Sequence, residues 1–241
     1  MGEALSIRLK KAFRFLDFQD DRKKAIHVFI FLTALFVLLT AFVLILPKSF
    51  IDLEFSEEVQ EHPSPWLDAL MKGVSWFGNQ IVAISLTLGT SLIFLLFKYK
   101  REALFIALTL LASLANFGMK VLVNRPRPTD DLVNVLVKAQ HQSFPSGHTV
   151  FYVTFFGFLV YLMYQLRGID KRLRLSVGAV SVLLIAAVPF SRVYLGAHWF
   201  TDVLAGFVFG LLSLAVLVYF YFKGGGKGVS CSQKPNYGPA N

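Results

Sequence analysis

Long apolar stretches alternate with short polar ones along most of the chain. Six stretches contain no Asp, Glu, Lys or Arg and approach the roughly 20 residues with which a helix crosses a bilayer. They cover residues 25–47, 73–97, 103–119, 149–166, 175–191 and 203–222. The third and fifth stretches are short, so we expect these two helices to extend into their polar flanks. The pattern predicts an all-α integral membrane bundle with six transmembrane helices.

Composition favours this membrane bundle over a soluble helical protein. Hydrophobic residues make up 55% of the 241 residues, and too little polar sequence remains to cover six buried helices with a hydrophilic surface. The single cysteine, Cys231, excludes an intrachain disulfide and a Cys-based metal site.

Basic residues predict how the bundle is oriented. Most of the 24 Lys and Arg residues lie in the N-terminal segment, in the loops after the second and fourth stretches, and in the C-terminal tail. Because cytoplasmic loops carry the excess of Lys and Arg, both termini are predicted to be cytoplasmic. The net charge of +9 then suits anionic lipid headgroups, and a nucleic-acid partner is not expected.

The regions outside the apolar stretches divide the chain further. The loop 48–72 is acidic, and its Ser64-Pro65 pair is typical of a helix start, so we expect a short helix along the outer surface. Apolar residues at helical spacing among basic ones predict that the N-terminal segment lies on the membrane surface. The chain therefore consists of a basic cytoplasmic segment, a six-helix domain and a disordered Gly-rich cytoplasmic tail, at residues 1–24, 25–222 and 223–241.

Three polar clusters fall at the outer ends of the predicted helices. They are Lys120 with Arg127-Pro128, then Pro145-Ser146-Gly147-His148, and then Ser191-Arg192 with His198 and Asp202. Lys and Arg side chains are suited to phosphate oxygens. The backbone N–H groups of Ser146 and Gly147 come where the next helix starts, which is a natural anion site, and the Ser146 hydroxyl adds a donor.

The third cluster also contains a candidate base or nucleophile. His198 and Asp202 are four residues apart, which predicts one helical face and hydrogen-bonding reach. The carboxylate can hold one imidazole nitrogen as N–H and leave a lone pair on the other nitrogen. His148 supplies a second titratable group.

Each cluster taken alone also fits a structural role. Cations reach toward headgroups from helix ends, Pro-Ser-Gly-His suits an ordinary helix start, and Asp202 suits a helix cap. All three clusters at one side of the membrane indicate a phosphate-binding site instead.

The three clusters resemble the motifs of the type 2 phosphatidic acid phosphatase superfamily, which read K-x6-R-P, P-S-G-H and S-R-x5-H-x3-D. The sequence matches all three in full between residues 120 and 202. The doubled "RPRP" offers Arg125-Pro126 as a second candidate, although Arg127 has the family's spacing from Lys120. The resemblance implies a membrane lipid phosphatase that uses neither a metal nor another cofactor.

The resemblance also implies roles for individual residues. His198 is the nucleophile that forms a phosphohistidine, Asp202 orients it, and His148 protonates the departing oxygen and then activates water. The phosphate oxygens are bound by five residues: Lys120, Arg127, Ser146, Gly147 and Arg192.

A phosphate site at headgroup level predicts a substrate with its tail in the bilayer. Candidates are phosphatidic acid, phosphatidylglycerol phosphate, a polyprenyl pyrophosphate such as undecaprenyl pyrophosphate, and lipid A phosphate. We expect a bacterial plasma membrane protein whose site faces the outer, periplasmic or extracellular side; its oligomeric state is not predicted. The related vanadium haloperoxidases resemble soluble proteins, and the six apolar stretches argue against that activity.

Three alternatives stay open. A lipid phosphotransferase would pass the phosphoryl group to an acceptor lipid rather than to water. A sugar-phosphate phosphatase of an internal membrane would take a water-soluble substrate. A lipid-phosphate binding or transport protein would bind without turnover, although it would not need His148, His198 and Asp202 together.

Overall fold

The computed structural model describes residues 22–223; the regular secondary structure of this part is all helical, without a β-strand, and a long non-helical segment, residues 124–146, connects α6 to α7. The predictions for residues 1–21 and 224–241, a surface helix and a disordered tail, fall outside it. The helices are α1 (Arg22–Ile45), α2 (Phe50–Gln60), α3 (Pro65–Trp76), α4 (Gln80–Leu96), α5 (Lys100–Leu108), α6 (Leu110–Val123), α7 (Gly147–Phe151), α8 (Gly157–Gln165), α9 (Lys171–Tyr194) and α10 (Phe200–Lys223), with a π-helical turn, Tyr152–Phe156, between α7 and α8.

The described helices confirm an all-α membrane fold. Five continuous helical segments, each made of one helix or of consecutive helices, are long and apolar enough to cross a membrane: Ile26–Ile45, Lys100–Val123, Gly147–Gln165, Lys171–Tyr194 and Phe200–Lys223. A sixth span is present if α3 and α4, which meet at an angle of 53°, are counted as one. The third and fifth predicted stretches, residues 103–119 and 175–191, extend at both ends into their polar flanks, as expected from their short length, and become Lys100–Val123 and Lys171–Tyr194.

The second predicted span is not one continuous helix. Residues 77–79 separate α3 from α4, and the acidic outer loop contributes two helices, α2 and α3, rather than one. Helix α3 begins at Pro65, where the Ser64 hydroxyl accepts a hydrogen bond from the Leu67 N–H at 3.2 Å. A Cβ at Gly78 would overlap the His148 ring. The break therefore leaves room for that side chain.

The run from α7 to α8 forms the centre of the bundle. It is mostly buried, and it packs against α10 on one side and against α9 on another. Gly206 and Gly210 allow α10 to approach closely: a Cβ at Gly206 would lie 2.7 Å from the Ser146 carbonyl oxygen, and one at Gly210 would lie 2.7 Å from Val153 Cβ. Small residues commonly permit such close helix contacts in membranes.

The packing brings the three polar clusters to one end of the bundle. The Ser146 N–H donates to the Asp202 carbonyl oxygen at 3.0 Å, which joins the start of α7 to the start of α10. The Lys120 ammonium, near the end of α6, donates to the Ser143 carbonyl oxygen at 3.2 Å. Residues far apart in the sequence thus surround one region.

Candidate active site

A cavity of about 790 Å³ lies at this end of the bundle. Six of the eight predicted site residues line it: Lys120, Arg127, Gly147, His148, Arg192 and His198. Asp202 is fully buried behind His198, and Ser146 is fully buried beside it. The structure therefore brings all three clusters together.

Two of the cavity cations are fixed by backbone carbonyl groups. The Lys120 ammonium donates to the Gln142 carbonyl at 2.7 Å and to that of Ser143 at 3.2 Å. The Arg127 guanidinium donates to the Ala197 carbonyl at 2.5 Å and to carbonyls of residues 140–142. Because carbonyl oxygens carry no net charge, these hydrogen bonds do not neutralise either basic side chain.

Two further groups at the cavity lack a partner within residues 22–223. Arg192 is buried and donates from Nη1 to the Ser75 hydroxyl, while its Nε–H has no hydrogen-bond partner. Nε2 of His148 is also buried and unpaired. Buried polar groups are rarely left unpaired, so both groups are suited to contact a bound ligand.

The His198 ring presents its two nitrogens to different surroundings. Nε2 lies 3.2 Å from Arg127 Nη1, and both residues line the cavity. Nδ1 lies 3.3 Å from the Ser143 hydroxyl oxygen and 3.6 Å from Asp202 Oδ2. The nitrogen that faces the cavity is therefore Nε2.

The direct His198–Asp202 hydrogen bond expected from their spacing is not formed, because 3.6 Å is too long for one. His198 precedes the first residue of α10, Phe200, so the helical geometry of residues four apart does not apply to this pair. Asp202 instead accepts from the Trp199 N–H at 2.9 Å. The backbone N–H and the Ser143 hydroxyl occupy the carboxylate oxygen that faces His198.

Electrostatics favours a neutral His198. Burial is the largest cause that holds the pKa of His198 well below its usual range, and the cations Arg127, Lys120 and Arg192 lower it further. Burial also lowers the pKa of Arg127, although the Asp202 carboxylate opposes this effect. Neutral imidazole has the lone pair that a nucleophile needs.

Arg125, the second candidate of the doubled motif, has a different role from Arg127. Its Nη1 contacts Asp202 Oδ1 at 2.6 Å and its Nη2 contacts Asp52 Oδ2 at 2.6 Å, with all three side chains essentially inaccessible. Asp52 also accepts from the Thr201 N–H at 2.8 Å. Arg125 thus binds two carboxylates, whereas Arg127 lines the cavity.

Asp52 and Ser143 are the contacts that the sequence gives least reason to expect. Asp52 is one of several acidic residues in the outer loop, and its neighbours Glu54 and Glu57 are not buried. Ser143 lies two residues before the second motif. The repeated Arg-Pro pair in the sequence pointed to Arg125 as a candidate, but nothing in the sequence indicates that Arg125 pairs with Asp52.

Ser146 departs from its expected placement. Its N–H donates to the Asp202 carbonyl, its hydroxyl oxygen accepts from the Thr149 hydroxyl at 3.0 Å, and it does not line the cavity. The expectation that two successive N–H groups face an anion is therefore wrong for Ser146. Gly147 does line the cavity, where a Cβ would lie 3.2 Å from Asn116 Nδ2.

The cavity continues from its charged end along an apolar wall. Ile84 of α4 and Leu114 and Phe117 of α6 line this part, and their exposed fractions are 40%, 66% and 49%. Such exposure is typical of side chains that face lipid in a membrane bundle. Asn116 also lines the cavity; it is 3% exposed and its Oδ1 has no partner in the described chain.

Metal ligands do not cluster in the described part of the chain. No group of three or more His, Cys, Asp or Glu side chains within residues 22–223 is placed to hold a metal ion.

Comparisons with known proteins agree on one family. The family model described as PAP2 superfamily matches residues 101–225, just over half of the chain. Phosphatidylglycerophosphatase B of Bacillus subtilis is 28% identical over 163 residues, which cover 66% of this chain and 75% of that protein. Lipid phosphate phosphatase delta of Arabidopsis thaliana is 28% identical over 169 residues, which cover 66% of this chain but only 39% of the plant protein.

Solved structures show the same relationship. The crystal structure of a transmembrane PAP2-type phosphatidylglycerolphosphate phosphatase from Bacillus subtilis superposes with a TM-score of 0.69 at 26% identity, covering 81% of this chain and 96% of the other. Aquifex aeolicus LpxE superposes with a TM-score of 0.54 at 22% identity, covering 73% and 97%. At that identity, the second match supports the fold alone.

The buried Asp52–Arg125 pair generates a prediction about stability. Asp52→Asn removes one carboxylate partner of a desolvated guanidinium, so we expect a loss of about 3 kcal/mol in the free energy of unfolding. The thermal midpoint of the detergent-solubilised protein should fall by at least about 6 °C. Glu57→Gln, on the exposed face of the same helix, is the control and should leave the midpoint unchanged. Equal midpoints for the two variants would contradict the assigned role of Asp52.

Proposed function

We propose a mechanism and a substrate for this chain, which belongs to the PAP2 superfamily of membrane lipid phosphatases. His198 attacks the phosphorus of a lipid phosphate and forms a phosphohistidine that water then hydrolyses. The observation that carries the proposal is that three separate motifs converge on one cavity, which His198 lines together with Lys120, Arg127 and Arg192.

The first step transfers the phosphoryl group to the enzyme. His198 Nε2 donates its lone pair to phosphorus, and the bond from phosphorus to the lipid oxygen breaks in line with this attack. His148 gives its proton to the departing oxygen, which leaves as the alcohol. His148 lines the same cavity, and the negative charge of a bound dianionic substrate favours the protonated form that this step requires.

The second step restores the enzyme. His148, now neutral, takes a proton from water as the water oxygen attacks phosphorus, and the bond between phosphorus and His198 Nε2 breaks. Inorganic phosphate leaves, His148 is again protonated, and His198 is again neutral. Atoms and charge therefore balance over the cycle.

Protein cations stabilise the charge on the transferred group. Lys120, Arg127 and Arg192 line the cavity, and the unpaired Arg192 Nε–H is suited to an equatorial oxygen. Gly147 allows the backbone to approach the phosphate closely. We infer that these groups make a metal unnecessary. Ser146 contributes through its N–H bond to Asp202 rather than by contact with the cavity.

We infer that the cavity opens at the outer face of a bacterial plasma membrane. The cavity is lined by residues at the start of α4, along α6, at the start of α7 and near the end of α9. Basic residues of the α4–α5 and α8–α9 connections lie at the opposite ends of these helices, which supports a cytoplasmic location for that side and for both termini.

The substrate that fits best is phosphatidylglycerol phosphate. The apolar wall of the cavity, with the partly exposed Ile84, Leu114 and Phe117, suits acyl chains that enter from the bilayer. Among the named relatives, a phosphatidylglycerophosphatase aligns over most of its own length, and a solved enzyme of that activity shares the fold.

Asn116 supports this choice of substrate over the other candidates. Its buried Oδ1 lacks a hydrogen-bond donor within residues 22–223, and its Nδ2 lies 3.2 Å from the position that a Cβ on Gly147 would take. The glycerol of phosphatidylglycerol phosphate carries a hydroxyl beside the phosphate ester. Phosphatidic acid and polyprenyl pyrophosphates have no hydroxyl at that position, so they would leave the Asn116 oxygen unpaired, at a cost in binding.

The nucleophile is tested with His198→Asn. We expect phosphate release from phosphatidylglycerol phosphate to fall by about 10³-fold or more, since the attacking nitrogen is lost. In the wild type, activity should survive EDTA, and an alkaline quench should trap a phosphohistidine. His62→Asn, at an exposed site of the outer loop, is the control. Turnover in His198→Asn would refute the mechanism, and phosphate that appears on an acceptor lipid would favour the phosphotransferase.

The pH dependence follows from the surroundings of His198. Since its pKa is lowered below 6.5, His198 is still neutral at pH 6.5, and the acid limb of kcat/KM that reports its protonation should lie below that value. Arg127→Gln removes one cation, while Lys120, Arg192, His148 and Asp202 remain. The pKa of His198 should then rise, and the acid limb should move to higher pH. Protonation of the substrate phosphate affects the pH profiles of the wild type and the variant equally, so it does not contribute to the difference between them. If the acid limb of Arg127→Gln stayed at the wild-type pH or moved to lower pH, the acid limb would not report the protonation of His198.

Substrate choice is tested with Asn116→Ala. We expect KM for phosphatidylglycerol phosphate to rise by about tenfold, since one hydrogen bond to the substrate is lost. KM for phosphatidic acid, measured on the same preparation, should change by less than about twofold. Equal changes for both lipids would show that Asn116 does not recognise the glycerol hydroxyl.

A further inference from the structure

We propose that Ser143, which lies outside the three motifs, is a positioning residue through which Asp202 acts on His198. The Ser143 hydroxyl connects the carboxylate to the ring, because the carboxylate does not reach the ring itself. The inference deepens the proposed function and rests on the role of His198 as nucleophile.

The hydrogen-bond geometry gives the direction of each bond. The Ser143 hydroxyl lies 2.5 Å from Asp202 Oδ2 and 3.3 Å from His198 Nδ1. A hydroxyl has one proton, and the short contact with a carboxylate commits that proton to Asp202. The Ser143 hydroxyl oxygen therefore acts as an acceptor for Nδ1–H of His198, whose ring also interacts with the Ser143 backbone carbonyl. Nε2 is left without a proton, and its lone pair lies on the cavity side, where it accepts from Arg127 Nη1 at 3.2 Å.

The carboxylate has little freedom to approach the ring directly. Asp202 Oδ1 is held by Arg125 at 2.6 Å, and Oδ2 accepts from the Trp199 N–H at 2.9 Å. Arg125 is itself held by Asp52. Across the remaining 3.6 Å to Nδ1, the Ser143 hydroxyl supplies the connection.

Ser143 is fixed by its own backbone as well. Its N–H donates to the Arg125 carbonyl at 2.9 Å, and its carbonyl accepts from the Lys120 ammonium at 3.2 Å. The residue is fully buried. The hydroxyl is therefore pre-positioned between the carboxylate and the ring, and its place depends on the same two basic residues that shape the site.

The bridge matters most during transfer. As Nε2 bonds to phosphorus, the ring gains positive charge, and the Nδ1–H becomes a stronger donor. The Ser143 oxygen accepts this bond while Asp202 polarises the hydroxyl, so the charge of the carboxylate is felt at the ring. No proton needs to leave Nδ1.

The inference is tested with Ser143→Ala and Ser143→Cys, assayed on phosphatidylglycerol phosphate. Loss of one bond in a charge-assisted chain should lower kcat by about 10- to 100-fold while KM changes by less than about twofold. The rate of phosphohistidine formation in a rapid alkaline quench should fall by the same factor. Cysteine preserves the side-chain volume but is a weak hydrogen-bonding group, so both variants should behave alike.

The control is Ser56→Ala, which also removes a buried hydroxyl, one that donates to the Asp52 carbonyl at 2.7 Å. It should leave kcat near the wild-type value. An unchanged kcat in Ser143→Ala would overturn the inference, since Asp202 would then act on His198 directly. Recovery in Ser143→Cys alone would also overturn it, because packing would be the cause. Turnover in His198→Asn would instead refute the proposed function itself, which keeps the two failures distinct.

Discussion

One buried guanidinium between two buried carboxylates holds the site together. Arg125 contacts Asp52 and Asp202 at 2.6 Å each, and its Nε donates to the Pro47 carbonyl at 3.0 Å. Desolvation of unpaired ions costs several kcal/mol each, so the folded state is favoured only when all three groups meet. They come from the start of α2, the loop after α6 and the start of α10. The interaction therefore requires the outer helices and the motif-bearing helices to pack in one arrangement.

The same interaction influences the chemistry of His198, the proposed nucleophile. Asp202 is close to His198, but Arg125 offsets part of its charge and its Oδ2 already accepts from the Ser143 hydroxyl and the Trp199 N–H. Burial and the cavity cations therefore prevail, and the pKa of His198 is lowered. Lys120 and Arg127 donate to backbone carbonyls and, within residues 22–223, form no ion pair with a carboxylate. The carboxylates thus stabilise the fold and, in the proposed mechanism, orient the ring, while the basic groups at the cavity stay available for the proposed phosphate.

Much of this arrangement could be predicted from the sequence. The lengths of the stretches without Asp, Glu, Lys or Arg indicated the membrane spans. The spacing of the motifs identified six residues that line the cavity, including His148 and His198. The errors arise where tertiary contacts decide. The spacing of His198 and Asp202 suggested a direct bond, yet His198 precedes the helix. The position of Ser146 suggested a free N–H, yet it bonds to the Asp202 carbonyl. Asp52 could not be selected among its acidic neighbours, because only the packing of α2 on α10 buries it.

The break in the second span shows how a membrane bundle accommodates such a site. Non-helical backbone within a membrane is tolerated where it borders protein or a cavity, because unpaired N–H and C=O groups in hydrocarbon are costly. Here the Gly78 and Asn79 N–H groups bond to Ser75 and Trp76 carbonyls, at 3.0 and 3.1 Å. The bend lies where His148 occupies the space beside Gly78, and α4 then begins at the cavity. A straight helix with a side chain at position 78 would displace His148. The same feature that interrupts the apolar pattern thus makes space for the proposed acid and borders the apolar wall that leads to lipid.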